Sequence, residues 1–259
     1  MDESIALEGA FLIERALSAG LEFEALYCVP AREAWAKRLR AGAAASSAGC
    51  DASSPASSIE PVIMPEPRIS EIAGYRFHRG AFALAHRPPA RAASEIIPSS
   101  DGPATMLVLP EIGDPENLGA AFRNAAAFGC SALLLGPTGP DPYCRRVLRV
   151  SMGAALSLPW ARLEGPASMR ALGGLGFRAV ACVLDPEARE LRAWKRPERL
   201  ALVLGNEASG LSAPWLEACD ERVTLKMMGN TDSLNLATAA AIFLYATAAP
   251  QEASNARAV

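Results

Sequence analysis

VLGNEASGLS at residues 203–212, followed by VTLKMMGNTDSLNL at residues 223–236, is the stretch that decides how this chain is built. It opens as an apolar strand, breaks at Gly205 and Gly210, resumes as a strand near Val223 and breaks again at Gly229. It then enters a long apolar helix through Ser233-Leu234-Asn235. Two glycine-containing loops, each directly following an apolar strand, come to one helix start. In open parallel sheets ligands collect beyond the C-terminal ends of the strands, so this stretch predicts a site that holds a ligand largely through backbone groups. GNEASG has glycine at its first and sixth positions but not its third, and it lacks Gly-Lys-Ser/Thr. It is neither a dinucleotide fingerprint nor a phosphate-binding Walker loop. Taken singly, Glu207 and Ser233 also read as residues that satisfy backbone N–H groups at ordinary strand-to-helix turns.

The strands upstream share this texture. MLVLP (106–110), CSALLLG (130–136), ALSLPWARL (155–163), FRAVACVLD (177–185) and LALVLG (200–205) are apolar runs separated by helical stretches. Near-continuous apolar strands alternating with helices predict a parallel sheet covered on both faces, here over about residues 104–250. DPENLGAAFRNAAAFG (114–129) reads as a helix with Asp114 as N-cap, Pro115 at the first helical position and Phe128-Gly129 as the stop. On it Arg123 leans back over Gly119 towards the free N–H groups of the helix start, an arrangement suited to a phosphate. On spacing alone, a surface arginine paired to Glu116 is the more economical reading. Asn117 by itself reads equally as a first-turn residue.

The first 90 residues predict a smaller α/β domain: an amphipathic helix over 4–22, a strand at 26–30, a helix over 31–40, strands PVIM and AFALAHR, and a short helix ISEIAG between them. Residues 41–58, an Ala/Ser-rich low-complexity run, read as a mobile loop. Residues 88–104 have the proline and serine content of a linker, with the boundary set at 91–104 and a tail at 251–259.

Composition narrows the function classes. The 259 residues are 51% hydrophobic, ample for a core, and the net charge of −3 does not itself point to nucleic acid. Six dispersed cysteines without a CxxC predict reduced thiols in a cytoplasmic protein, not a disulfide framework or zinc site. Two histidines, His78 and His86, make neither a metal site nor a Ser-His-Asp triad. Residues 234–249 are too short and polar for a membrane span, and the acidic opening MDESIALEGA argues against a targeting peptide. A basic cluster, Arg145, Arg146 and Arg149, reads as a solvated helix face; only an RNA substrate would bring the reading of an RNA contact level with it.

Three motifs, NLGAAFRNAAAFG, LVLGNEASGLS and SLNLATAAAIFLY, resemble in order and spacing those of the SpoU family of RNA ribose 2′-O-methyltransferases, of the SPOUT class. The resemblance covers about residues 105–248. The opening GAFLIERALSAG and the closing HRGAFALAHRP of the first 90 residues are similar to the family's N-terminal domain, itself like a ribosomal RNA-binding protein. The resemblance implies an α/β fold with a deep trefoil knot, against the general rule that chains are unknotted. It also implies a homodimer, S-adenosylmethionine as methyl donor, no metal, and RNA as substrate, with ribosomal RNA favoured over transfer RNA. By the same resemblance Arg123, Asn117, Glu207, Ser233 and Asn235 match active-site positions. Leu204, Gly205, Asn206, Gly210, Leu225, Met227 and Leu234 fall where the donor is held, and Arg145, Arg146, Arg149 and Arg79 are the expected RNA contacts. Arg123 is too basic to be an ordinary proton acceptor, so its expected part is to orient phosphate and stabilise developing alkoxide charge. Two departures stand out: Lys226 where the family often has proline, and Ala237-Thr238 where it often has Val-Ser. A base methyltransferase of the same class and a non-catalytic RNA-binding assembly factor are the competing readings; the complete polar set speaks against both.

Overall fold

The computed structural model describes residues 3–46, 59–99, 102–229 and 233–248. Residues 47–58 of the expected loop, Asn230–Asp232 and the tail lie outside them. The chain divides into two compact units, one of Met1–Ala90 with Asp141–Ser157, the other of Arg91–Pro140 with Leu158–Val259.

The first unit runs β1 (Ser4–Glu8), α1 (Ala10–Ser18), β2 (Phe23–Cys28), α2 (Glu33–Ser46), β3 (Val62–Ile63), α3 (Glu66–Ala73) and β4 (Ala81–His86). Its sheet has the order β1-β4-β2-β3, antiparallel except for β2 with β3. The single helix expected over 4–22 is a strand and a helix. Ile5 and Leu7 are buried while their neighbours are not, a period of two that marks a strand. Gly9, at φ +85°, turns the chain between them. Likewise α2 continues through 41–46, because an alanine run is the strongest of helix formers. Ile69, Phe77 and Phe82 form a local core, with Phe77 edge-on to Phe82 at 5.9 Å.

Asp141–Ser157 completes this unit with α6 (Arg145–Val150) and α7 (Ala154–Ser157). Part of the expected strand 155–163 is therefore helix. Val147 and Leu148 are buried, and α6 lies against β1. Arg87 grips Asp141 through two bonds of 2.7 and 2.8 Å. Arg15 donates to the Met152 carbonyl at 2.8 Å, and Arg145 Nε donates to Glu8 at 2.7 Å.

In the second unit α4 (Ala93–Ile96) falls inside the expected linker, with Ile96 buried in the core. There follow β5 (Ala104–Leu109), α5 (Pro115–Ala127), β6 (Ala132–Leu135), β7 (Trp160–Arg162), α8 (Ala167–Gly174), β8 (Arg178–Val183), β9 (Arg189–Glu190), β10 (Arg199–Leu204), α9 (Ala213–Glu217), β11 (Glu221–Thr224) and α10 (Leu236–Thr247). Among the described residues the sheet order is β7-β6-β5-β10-β8-β11-β9, and every ladder is parallel, as expected. All residues of β5, β6 and β10 are buried, the mark of strands covered on both faces. Met106, Val108, Leu134 and Val203 meet Met169, Leu172, Phe177 and Trp215 on one face. The alternate residues point to the other, where α5 and α10 pack on each other and lie against β6 and β10. The expected strand VTLKM stops at Thr224, so Leu225–Met227 belong to a loop.

Candidate active site

The C-terminal ends of β8, β10 and β11 open into a cavity of about 530 Å³. Two loops and a strand end wall it. The loop after β10 contributes Gly205 through Leu211, the loop after β11 Leu225, Met227, Ser233 and Leu234, and the end of β8 Cys182, Val183 and Leu184. Leu236, Ala239 and Phe243 of α10 complete the wall. All seven residues expected around the donor line this one cavity.

The loop after β10 is closed on itself. Asn206 and Gly210 exchange backbone hydrogen bonds of 2.8 and 2.9 Å. Gly210 takes φ +70°, and a Cβ on Gly205 would stand 2.1 Å from the Gly210 carbonyl carbon. Glycine at 205 is thus a packing requirement: a side chain there would force the loop open.

From this loop a hydrogen-bonded chain crosses three elements. Asn117 Nδ2 in the first turn of α5 donates to Glu207 Oε1 at 2.6 Å, and Asn235 Nδ2 donates to Asn117 Oδ1 at 2.8 Å. Asn235 Oδ1 in turn accepts the Ala237 and Thr238 N–H groups at 2.9 and 3.3 Å, capping α10. Asn235, not Ser233, is therefore the cap, and Ser233 is a wall of the cavity. Asn117 is itself placed by Asp114, whose carboxylate accepts the Glu116 and Asn117 N–H groups at 3.1 and 3.3 Å. A second tie, Asn124 Nδ2 to the Ala237 carbonyl at 2.8 Å, fixes α5 against α10.

Arg123 stands apart from this chain. It is exposed, its side chain enters no hydrogen bond or ion pair among the described residues, and Gly119 beneath it is buried. The arginines expected at RNA belong to the first unit. Arg145 stacks on Tyr75 at 3.6 Å while bonded to Glu8, Arg79 approaches Glu8 at 3.7 Å, Arg146 is exposed and Arg149 half-buried. Burial lifts the Tyr75 hydroxyl to about 12. In the second unit burial holds the Cys182 thiol well above its ordinary range, so this wall of the cavity is a neutral sulfhydryl.

The β8 residues carry no motif. Their place follows only from the strand order, which seats β8 beside β10. No group of His, Cys, Asp and Glu among the described residues is arranged to hold a metal, and no described helix is long and apolar enough to cross a membrane.

An all-parallel sheet with a loop-walled cavity beyond the C-terminal ends of its strands defines an α/β ligand-binding domain, and the comparisons give its family. The profile of the SpoU rRNA Methylase family matches residues 104–245, and the chain belongs to that family. It is 39% identical over 181 residues to an uncharacterised tRNA/rRNA methyltransferase of Mycobacterium tuberculosis, covering 68% of this chain and 62% of that protein. The chain thus spans less than two thirds of that relative's length. It is 32% identical to the 23S rRNA (guanosine-2′-O-)-methyltransferase RlmB of Bordetella pertussis, covering 69% and 73% of the two chains. Its fold matches the AdoMet-bound rRNA methyltransferase of Sinorhizobium meliloti with a TM-score of 0.78 at 24% identity, over 95% and 87% of the chains.

Proposed function

We propose that the protein transfers a methyl group from S-adenosylmethionine to a ribose 2′-hydroxyl of ribosomal RNA, as a knotted homodimer in the cytoplasm. The observation that carries this reading is the Glu207–Asn117–Asn235 chain, which joins the three family motifs and reaches the cavity wall at Glu207.

The cavity suits the donor. Its volume lies in the range of small-molecule sites, its walls offer apolar side chains for an adenine ring, and the tightly closed loop at Gly205 presents backbone polar groups. When bound, S-adenosylmethionine supplies an electrophilic sulfonium methyl. The chain's own residues then have distinct parts. Glu207 accepts one bond from Asn117, Asn235 supplies a donor to its other end, and the Asn117 amide is held in one orientation to receive the ribose. Arg123, with no partner among the described residues, meets the RNA phosphate and stabilises alkoxide charge as the 2′-proton leaves. Arg79, Arg145, Arg146 and Arg149 give the first unit phosphate contacts of its own.

A homodimer is supported by α10. It is apolar around most of its surface, yet Ile242 and Tyr245 are 39% and 75% exposed, with Tyr245 edge-on to Phe128. Such an apolar face, uncovered among the described residues, suits a second copy.

Methyl-labelled donor offered with ribosomal RNA, and with transfer RNA as comparison, tests the reading. Label in alkali-resistant dinucleotides of ribosomal RNA is expected, with Arg123→Ala lowering the rate about 100-fold or more. Label released as alkali-labile mononucleotides would point to base methylation, and an Arg123→Ala enzyme of near-normal rate would overturn the role given to Arg123.

A further inference from the structure

We infer that Glu111 is a positioning residue that holds the loop after β10 shut against the donor cavity, a role that rests on the donor reading above. Glu111 lies just past the end of β5, outside every motif and outside the cavity wall. It nonetheless meets that loop at both ends. Its backbone carbonyl accepts from Asn206 Nδ2 at 3.1 Å, and its carboxylate Oε2 accepts from the Ser212 N–H at 2.9 Å. Asn206 and Ser212 bracket the segment that lines the cavity. A third bond, Ala208 N–H to Asn206 Oδ1 at 2.9 Å, ties the clamped asparagine to the turn that carries Glu207.

The loop cannot be held from within alone. The Asn206–Gly210 bridge closes the loop on itself and, apart from the Asn117–Glu207 bond, leaves it freedom to move as a body against the sheet. The bonds to Glu111 remove that freedom, because β5 is central in the sheet and wholly buried. A hydrogen bond to a charged group is among the stronger of its kind. Glu207 rides on the clamped segment, so Glu111 also sets where the Glu207–Asn117–Asn235 chain begins.

Donor affinity and transfer kinetics of Glu111→Ala, Glu111→Gln and Ser212→Pro test the clamp in the full chain. Ser212 has φ −66° and its hydroxyl makes no capping bond, a φ that proline adopts without strain, so Ser212→Pro removes the N–H that Glu111 accepts, along with that hydroxyl and some freedom of Leu211. Glutamine keeps an oxygen acceptor at the same place. Glu111→Ala and Ser212→Pro are each expected to weaken S-adenosylmethionine binding about tenfold, raising KM for the donor with a smaller effect on kcat. The double variant should lose no more than either single one, and Glu111→Gln should bind within about twofold of wild type. A residue of merely structural importance would lower thermal stability without this KM effect or rescue by glutamine. If Glu111→Ala does not fold, Ser212→Pro and Glu111→Gln carry the same test. Wild-type binding matched by Ser212→Pro or by Glu111→Ala overturns the clamp alone. Wild-type protein that binds no S-adenosylmethionine overturns the donor reading, and the clamp with it.

Discussion

Asn235 shows how one side chain serves both stability and site. Its Oδ1 caps α10 and its Nδ2 fixes Asn117, so the two duties can be separated by chemistry. Asn235→Asp keeps the capping oxygen and adds a charge favourable at a helix N-terminus, but it loses the donor and faces Asn117 Oδ1 with another acceptor. The expected result is a melting temperature near wild type with methyl transfer down about tenfold. Asn235→Ala should lose both, with about 1 kcal/mol of stability gone along with the cap. Full activity in Asn235→Asp would show that its bond to Asn117 does not matter to transfer. Glu207, Ser233 and Asn235 were legible as a group because each sits beyond a strand end or at a helix start, whereas Arg123 and Asn117 stood out only through the resemblance of their motif. Their partners were not. Nothing local to Asn117 says that residues 90 and 118 positions away will bond to it. The clamp at Glu111 was illegible for the same reason, since its bonds go to backbone or across the sheet and leave no motif.

Helix α5 presents its first turn to the site, and its start is specified locally by Asp114 with Pro115 behind it. Asp114→Ala removes two hydrogen bonds to the first turn and should cost about 1 kcal/mol, lowering the melting temperature by about 2–4 °C in a calorimetric scan. An unchanged transition would mean that packing against α10 alone defines the helix start. The parallel strands were readable because burial on both faces writes itself as an unbroken apolar run, as in β10. The strand–helix opening of the chain was not read that way. Five residues with two buried positions fit a helical period almost as well as a strand period, and only pairing with β4 decides between them. In the same way the Ala/Ser run at 41–46 looks structureless by complexity but is helical by propensity. At 155–163 an apolar run hides a change from helix to strand at Leu158-Pro159, which periodicity over so short a window does not resolve.

Burial pushes Cys130 and Cys219 of the second unit to about 12, against about 8.5 for an exposed thiol. With the folded-state value raised, the fold favours the neutral thiol. This contribution is complete below about pH 8.5 and is lost progressively as pH climbs towards the folded-state values, because the unfolded chain ionises first. The melting temperature should therefore fall steadily from about pH 8.5 upward, and Cys130→Ala should make that fall shallower; a curve that is flat across this range would contradict the burial assigned to these thiols. The sharing of Asp141–Ser157 has a different kind of consequence. Strand β1 is synthesised well before the helix that packs on it, α6, which follows more than a hundred residues later, after β5, α5 and β6. Glu8 must wait for Arg145, and Arg15 for Met152. Domains usually finish in the order in which they are synthesised. Here the first unit lacks its last helices until β5, α5 and β6 of the second unit have been made, so the two are nested in time as well as in sequence.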